Sequence, residues 1–306
     1  MTDGEWRHRR QLFVPARHQP WMYSHAAVPF ATPLGGDVFR VYFSTRDRDG
    51  RSHVAWAIVD IERPGIPLEV STTPLLGPGA LGAFDDSGAM LSWIVERSGQ
   101  SALWYYIGWN LGVTVPFRNA IGLAEADGAS VRRMFPGPIV DRTRDEPHFT
   151  ASCCVLPGTP TWRMYYLACV DWEVVAGRPR HRYHIRYAES GNGVEWIRNG
   201  VVAVDFASRD EYAISRPSVL ARGETYDMWF SVRGDRYRIA HATSNDGIAW
   251  SRNGYAALDV GSARWEDEMV CYPHVLRHGD RELMFYNGNG YGASGFGVAE
   301  RPAAKP

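Results

Sequence analysis

The sequence lacks the marks of several common protein classes. Its 306 residues include only four cysteines, Cys153, Cys154, Cys169 and Cys271, which show no paired metal-ligand spacing. No apolar run approaches the roughly 20 residues that a membrane-spanning helix needs. The 33 basic and 34 acidic side chains balance, so net charge favours neither nucleic acid nor an anionic membrane as a partner. We therefore expect reduced, buried thiols and a protein that binds neither nucleic acid nor membrane.

Two further signals are absent. Residues 1–15, MTDGEWRHRRQLFVP, lack the apolar stretch of a secretory signal, which predicts a cytoplasmic protein. Helical periodicity with capping residues is missing along the chain. Aromatic residues, by contrast, make up 13% of the sequence, with 12 Trp and 15 Tyr. This composition supplies a large core and predicts β-structure.

One phrase occurs twice in the chain. Residues 188–199 read AESGNGVEWIRN and residues 242–253 read ATSNDGIAWSRN, 54 positions later. An Asn-Gly or Asp-Gly pair between two apolar segments predicts a tight turn that ends one strand and precedes the next. A unit repeated at such a period indicates a radial or solenoidal array, in which the Trp packs between neighbouring units.

The rest of the chain divides into five similar units of about 60 residues. The segments CCVL (153–156), PSVL (217–220) and PHVL (273–276) start equivalent strands at spacings of 64 and 56 residues. Each unit reads as about four short antiparallel strands. The sequence therefore predicts an all-β protein, a five-bladed β-propeller forming one domain over residues 1–306. We place the blades at about 25–85, 86–147, 148–210, 211–267 and 268–306, with residues 9–15 as the closing outer strand of the last blade.

These blade signals carry a family resemblance. The SNDGIAW turn, the P-x-V-L strand starts and the blade pattern over nearly the whole chain resemble the five-bladed propellers of the furanosidase superfamily. That superfamily includes glycoside hydrolase families 43 and 32 and the family 130 mannoside phosphorylases. The segments HAAVPFATPL, VYFSTRDRDGRSH, FDDSG and EYAISRP more narrowly resemble an uncharacterised group of bacterial proteins often labelled glycosidase-like.

The resemblance implies a catalytic centre at the mouth where the first strand of each blade begins. Inverting members use an Asp base on blade one, an Asp on blade two and a Glu acid on blade three, with two carboxyl groups roughly 6.5–9.5 Å apart. In this sequence no carboxylate lies at 26–28, and the acidic pairs 85–86 and 145–146 precede the expected positions by four to seven residues. The standard triad is out of register, which counts against simple family 43 hydrolysis.

Polar residues nevertheless gather before each first strand, at one end of the predicted scaffold. Clustered carboxylates raise one another's pKa, which suits a general acid near neutral pH. We expect catalytic roles for five residues: Asp86, Glu211, Glu268, His25 and Glu146. We expect substrate contacts from a wider set: Arg46, Asp85, Trp109, Asn110, Arg118, His148, Ser152, Asp171, Trp172, Ser215, Arg216, Arg233, Tyr272, Asn287 and Asn289.

Several of these residues have structural alternatives. Asp86 could cap a turn through its side chain. Arg216 could hold a substrate carboxylate or phosphate through its guanidinium fork, or could pair with Glu211. Trp109 and Trp172 could stack on a sugar ring or pack between blades. The glycine-rich segment 286–297 lacks the strand-to-helix context of a nucleotide loop and is read as a turn between two strands of the last blade.

The sequence thus predicts a glycosidase-like enzyme that acts on a glycoside or sugar-like polar metabolite by carboxylate acid/base chemistry. Two alternatives stay open, a non-hydrolytic biosynthetic enzyme (cyclase, isomerase or lyase) and a non-catalytic carbohydrate-binding propeller. Phosphorolysis would need an anion site, for which Arg46, Arg216 and His25 are candidates. We expect no cofactor and assign no metal from spacing, although a calcium ion between channel carboxylates would be compatible with the oxygen ligands present.

Overall fold

The computed structural model describes residues 5–15, 17, 19–128, 130–254 and 256–303. Over these ranges the chain is almost entirely β-structure, as the aromatic and β-branched segments predict. In chain order the strands are β1 (Arg7–Phe13), β2 (Ser24–Gly35), β3 (Val38–Arg46), β4 (Ser52–Asp60), β5 (Glu69–Val70), β6 (Gly88–Val95), β7 (Ala102–Leu111), β8 (Phe117–Asp127), β9 (Ser130–Arg133), β10 (Thr150–Leu156), β11 (Trp162–Val175), β12 (Arg178–Ser190), β13 (Val202–Val204), β14 (Ala213–Arg222), β15 (Thr225–Arg233), β16 (Tyr237–Ser244), β17 (Ser251–Arg252), β18 (Cys271–His278), β19 (Arg281–Asn287) and β20 (Phe296–Pro302).

The strands fall into consecutive groups of four, each antiparallel. The last group is a separate sheet with the order β1-β20-β19-β18, so the N-terminal strand supplies the outer position. The other strands form two eight-stranded sheets, in each of which two groups are joined by a single parallel pairing, Ser52 with Gly88 or Tyr183 with Ala213. We call the strands of a group first to fourth, from β2, β6, β10, β14 and β18 outward.

The five first strands lie side by side around the centre of the molecule. β2 contacts β6, β6 contacts β10, β10 contacts β14, β14 contacts β18, and β18 contacts β2. Hydroxyl groups link several of these neighbours: Ser92 Oγ accepts the Cys153 N–H at 2.7 Å, and Ser218 Oγ accepts the Val275 N–H at 2.9 Å. The starts of all five strands therefore meet at one place.

The core lies between neighbouring groups. The second strands carry adjacent large aromatic residues such as Tyr105–Tyr106 and Tyr165–Tyr166, all fully buried. Successive side chains on a strand point to opposite faces, so burial of both members of each pair requires packing on both faces of the sheet. This two-sided burial is what fixes each group against its two neighbours.

Each first strand has an irregularity close to its start. The register shifts between Ala27 and Phe30 in β2, and equivalent shifts occur in β6, β10, β14 and β18. Such bulges re-aim side chains. Three residues at these points, Val28, Arg216 and Tyr272, have φ of 55°, 52° and 58°, in the left-handed region that non-glycine residues rarely adopt. The bulges bring these three residues to a central cavity.

The repeated phrase forms the same turn in both copies, which confirms the hairpin that the sequence predicts. Ser190 ends β12 and Ser244 ends β16, and each accepts the N–H of the turn glycine, Gly193 or Gly247. A tyrosine hydroxyl of the preceding group donates to that glycine's carbonyl at 2.7 Å in both copies. The repeated phrase therefore forms a turn that is hydrogen-bonded to the preceding group and connects the two groups.

Helical structure in the described ranges is confined to one short turn, α1 (Asn289–Gly292), between β19 and β20. Its residues Gly290 and Tyr291 have positive φ, so the segment is a turn, as the sequence predicts. Within the residues described above, no helix has the length and apolar character to cross a bilayer. The cytoplasmic location stays a prediction.

Candidate active site

A cavity of about 380 Å³ opens where the five first strands begin. This volume is within the range typical of small-molecule sites. First strands contribute the residues of its floor: Ala27, Val28, Met90, Ala151, Ser152, Ser215, Arg216 and Tyr272. Second and third strands, α1 and the residue before β10 contribute the wall: Arg46, Ser52, Ile107, Trp109, Phe117, Asn119, Phe149, Leu167, His181, Tyr183, Arg233, Tyr237 and Tyr291.

The charges in this lining are all of one sign. Within the described residues it contains no Asp or Glu, but it includes three arginines: exposed Arg46, half-buried Arg233, and Arg216, which is buried beneath the floor. None of the three is ion paired with a carboxylate of the described chain. The lining also lacks the carboxylate oxygens that a calcium ion prefers, and no group of three His, Cys, Asp or Glu in the described ranges is arranged to hold a metal ion.

Arg216 is the deepest of these cations. Its side chain is completely buried, and its terminal nitrogens donate to the carbonyls of Ser92 and Pro29. Burial lowers the pKa of Arg216 to about 10, so the guanidinium stays protonated at neutral pH. Two neighbouring donors, Arg216 Nε and Ser215 Oγ, are buried without a hydrogen-bond partner among the described residues. Unsatisfied buried donors on a cavity wall indicate a site for a polar ligand.

Tyrosines surround the second arginine. Arg233 donates to the Tyr291 hydroxyl at 2.6 Å and lies over the ring of Tyr237. The hydroxyls of Tyr183 and Tyr237 are 2.7 Å apart, and burial raises the pKa of both well above the usual value. These two phenols are therefore neutral at physiological pH and act as hydrogen-bonding groups.

The histidines at this mouth are held in their neutral form. Burial, followed by the charge of Arg46, lowers the pKa of His25 to about 4. Burial, followed by the charges of Arg233 and Arg180, lowers the pKa of His181 to about 4. In both residues burial is the larger cause, and the positive charge of the neighbouring arginines adds to it.

One side of the cavity is aromatic. Trp109 lines it and donates its indole N–H to Ser52 Oγ at 3.1 Å. Phe117 and Phe149 also line it, and Trp172 packs edge-on against Phe117 from outside the lining. Such faces suit the apolar C–H surface of a sugar ring.

Three carboxylates expected at the mouth lie elsewhere. Asp85, Glu146 and Glu211 are each buried against an arginine of the fourth-strand side of their own group, Arg133, Arg198 and Arg252. A second-strand ring completes each contact: Tyr106, Tyr166 or Phe230. Glu266 repeats the arrangement with Arg9 and Tyr286. We call these four sites the acid–ring–arginine clusters.

The clusters explain why these carboxylates do not reach the cavity. Their ion pairs measure 2.6–2.9 Å, and the four acids are 1–6% exposed. In the sequence they recur at spacings of 61, 65 and 55 residues, which is the strand period itself. That periodicity is the signal that would have marked them as part of the repeated scaffold.

Other predicted residues lie at the rim or inside the scaffold. Asp86 accepts hydrogen bonds from the Gly82 N–H and the Ser87 hydroxyl, as in a capped turn. Asn289 accepts the backbone N–H of exposed Glu268, and Asn287 is buried, where it bonds the backbone of Ala26, Val28 and Gly295. The remaining predicted residues outside the lining are His25, Asn110, Arg118, His148 and Asp171.

Of the residues proposed from sequence, seven line the cavity: Arg46, Trp109, Ser152, Ser215, Arg216, Arg233 and Tyr272. The sequence reasoning missed a set that begins or precedes third strands: Asn119, His181, Tyr183, Tyr237 and Tyr291. Third strands start at the same mouth, because each follows a hairpin from the second strand. Applying the strand period to these starts would have found most of the set.

Comparison with solved structures places this fold among the glycoside hydrolase β-propellers. A glycosyl hydrolase from Bacteroides ovatus aligns with a TM-score of 0.73 and 14% identity over 100% of this chain and 97% of that chain. A structure of the GH130 family of mannoside phosphorylases, described as containing glycoside hydrolases that target β-1,2-mannosidic linkages in Candida mannan, aligns with a TM-score of 0.73 and 15% identity, covering 100% and 97%. A thermostable family-43 glycoside hydrolase aligns with a TM-score of 0.62 and 13% identity, covering 90% and 88%. At these identities the likeness concerns the fold alone, and it agrees with the furanosidase-superfamily resemblance.

Sequence comparison gives a narrower grouping. The chain is 40% identical over 296 residues to two Mycobacterium tuberculosis proteins, the uncharacterized proteins Rv1502 (strain ATCC 25618 / H37Rv) and MT1551 (strain CDC 1551 / Oshkosh). The alignment covers 96% of this chain and 98% of each relative. The chain therefore belongs to the same family as these two mycobacterial proteins. No family model matches it.

Proposed function

We propose that this protein is a glycosidase-like enzyme that takes a sugar-like metabolite into the central cavity. The observation that carries the proposal is the cavity itself, formed by the starts of all five first strands and walled by aromatic rings, hydroxyls and arginines. Apolar faces beside a few converging polar groups are typical of small-molecule sites. The five groups would then be the five blades of one closed propeller domain, which a crystal structure would count directly.

The chemistry that this lining supports differs from two-carboxylate hydrolysis. A general acid and a general base must lie within hydrogen-bond reach of the reacting atoms, and the described lining has no carboxylate. The proton-transferring groups of the described lining include the hydroxyls of Tyr183, Tyr237, Tyr272 and Tyr291 and the neutral imidazole of His181. This favours a non-hydrolytic conversion, such as isomerisation, cyclisation or elimination, over hydrolysis.

Direct binding tests the site. Trp109→Ala removes an aromatic face from the cavity wall, so we expect affinity for any sugar that binds to fall about tenfold, the effect of roughly 1.4 kcal/mol. Leu111→Ala, on the same strand but 73% exposed, is the matched control and should bind normally. Calorimetric titration with a panel of pentoses, hexoses and their acid and phosphate derivatives would measure both. If the sugars bind Trp109→Ala as tightly as they bind Leu111→Ala, the ligand does not contact the Trp109 ring and the binding site lies outside the cavity.

Two carboxylates, half-buried Asp86 and exposed Glu268, support a second candidate, hydrolysis from the rim. Asp86 and Glu268 precede first strands, and neither is ion paired within the described chain. The two candidates separate on variants: Asp86→Asn and Glu268→Gln would abolish turnover by rim carboxylates and would leave a conversion by cavity groups within about threefold of the parent. A protein in which neither variant changes ligand affinity and no turnover is found by NMR of the whole panel would be a binding propeller.

A further inference from the structure

The cavity contains more positive charge than the protein itself neutralises. Arg46, Arg216 and Arg233 all line it, and none has a carboxylate partner in the described chain. Removing an ion from water costs several kcal/mol unless another charge and hydrogen bonds compensate. For Arg216 the compensation present is two backbone carbonyls. The described part of the chain therefore supplies no compensating anion.

We propose that this anion is supplied by the substrate: the sugar-like ligand carries an oxyanionic group, a phosphate ester or a carboxylate, which binds to Arg216, Arg233 and Arg46. The inference rests on the proposed function and names its substrate class. Planar guanidinium groups present paired N–H donors that match carboxylate and phosphate oxygens.

Two unsatisfied donors define where the anion binds. Arg216 Nε and Ser215 Oγ belong to adjacent residues, both line the cavity, and both lack a partner among the described residues. Of the buried side-chain nitrogen and oxygen atoms that lack a partner in the described chain, these two are the ones whose residues line the cavity. An oxyanion has enough lone pairs to accept from both, which a neutral sugar hydroxyl does less strongly because charge-assisted hydrogen bonds are about twice as strong.

The backbone at this point supports a ligand role. Arg216 has φ of 52°, and its N–H is held by Ser152 Oγ of the neighbouring first strand at 3.0 Å. A non-glycine residue in this region costs on the order of 1–3 kcal/mol and is typical of binding and catalytic sites. The strained bulge is what keeps a long basic side chain beneath the cavity floor.

The neutral histidines give an independent readout. His25 and His181 have pKa values of about 4, lowered by burial and by Arg46, Arg233 and Arg180. An anion bound between these arginines would reduce the repulsion that an imidazolium experiences, so both pKa values should rise on binding. A neutral sugar would not produce this shift.

The test is calorimetric titration of the full chain with glucose, mannose and arabinose, the corresponding sugar phosphates and uronates, and inorganic phosphate alone. We expect the best charged ligand to bind at least tenfold more tightly than its neutral counterpart. Arg233→Gln and Arg46→Gln, both only partly buried or exposed, should each lose at least tenfold in that affinity. Arg178→Gln, an exposed arginine of β12 outside the lining, should bind as the parent does. NMR titration of His181 with and without the ligand should show its pKa rising.

The outcomes separate the two proposals. Inorganic phosphate binding as tightly as the best sugar phosphate, with the same arginine dependence, would overturn the assignment of the oxyanion to the sugar-like ligand and would identify free phosphate as the anion that the arginines bind. Neutral sugars binding as tightly as charged ones, with no effect of the arginine variants, would overturn the inference and leave the proposed function intact. Failure of every sugar, neutral or charged, to bind would overturn both.

Discussion

Arginines occupy two different surroundings in this molecule. In the acid–ring–arginine clusters, Arg133, Arg198, Arg252 and Arg9 each pair with a buried carboxylate at 2.6–2.9 Å. In the central cavity, Arg216 is buried as deeply as those carboxylates and has no acidic partner in the described chain. The same side chain is neutralised by the protein in one region and left unneutralised in the other.

The difference separates scaffold from site. In each cluster the carboxylate is paired with an arginine of the same group, so the pair stabilises that group and leaves no uncompensated charge for a ligand. The cavity leaves charge and two donors unsatisfied, a cost that natural proteins tolerate chiefly at functional positions. Buried charge is informative about function only when its partner is missing.

The largest effect should come from removing an acid of a cluster. Glu146 accepts from Arg186, Arg198 and the Tyr166 hydroxyl at 2.8–3.1 Å. Glu146→Gln leaves two buried cations without a counterion, so we expect a loss of about 3 kcal/mol in the free energy of unfolding. Denaturant titration would measure it, with Asp145→Asn as control, because that neighbouring carboxylate is 78% exposed. Equal stability of the two variants would remove the distinction between clusters and surface pairs.

A fall in pH should have an intermediate effect on the free energy of unfolding, through His181 of the cavity wall. His181 has a folded pKa of about 4 against an ordinary 6.5, so folding favours its neutral form. The stability that this provides is fully present above pH 6.5 and is lost as pH falls from 6.5 towards 4. We expect the parent to lose about 2 kcal/mol more than His181→Asn over that window, a magnitude set by the size of the pKa shift. Parallel pH profiles of unfolding for the two proteins would contradict the positive potential assigned to the cavity.

Replacement of Arg216, the most deeply buried arginine of the cavity, should have the smallest effect on stability. Arg216→Met removes an unpaired buried cation and two hydrogen bonds to carbonyls, and these contributions oppose each other. We expect the free energy of unfolding to change by less than about 1 kcal/mol. Arg252→Met leaves buried Glu211 without its cation, so we expect its free energy of unfolding to fall by about 3 kcal/mol. Denaturant titration of Arg216→Met and Arg252→Met would measure both changes. A large loss for Arg216→Met would make that residue part of the scaffold.

Much of the architecture could be predicted from local pattern. The repeated turn at 188–199 and 242–253 and the aromatic second strands follow from turn chemistry and two-residue periodicity. The outer strand predicted for residues 9–15 lies at Arg7–Phe13. These features depend on neighbours in sequence, or on a period that the sequence displays. Arg46, Arg216 and Arg233 could also be placed at the mouth, since each lies at a strand start or strand end whose direction the period gives.

The direction of the acidic side chains could not be predicted in the same way. Asp85, Glu146 and Glu211 precede first strands just as the mouth residues do, yet they turn outward to arginines 41–52 residues away in sequence. Nothing local distinguishes an acid that faces the cavity from one that faces a fourth strand. The choice depends on which partner lies within reach once the sheets have packed.

The sequence by itself determined the strand period, the turns and the presence of a polar mouth, because these are encoded in short-range pattern and repeated composition. Only the tertiary structure decided which charges are paired. Coulomb interactions depend on distances in space and on burial, and both are set when the groups pack around the common centre. That packing gave every cluster acid its arginine and left Arg216, beneath the cavity, without an acidic partner in the described chain.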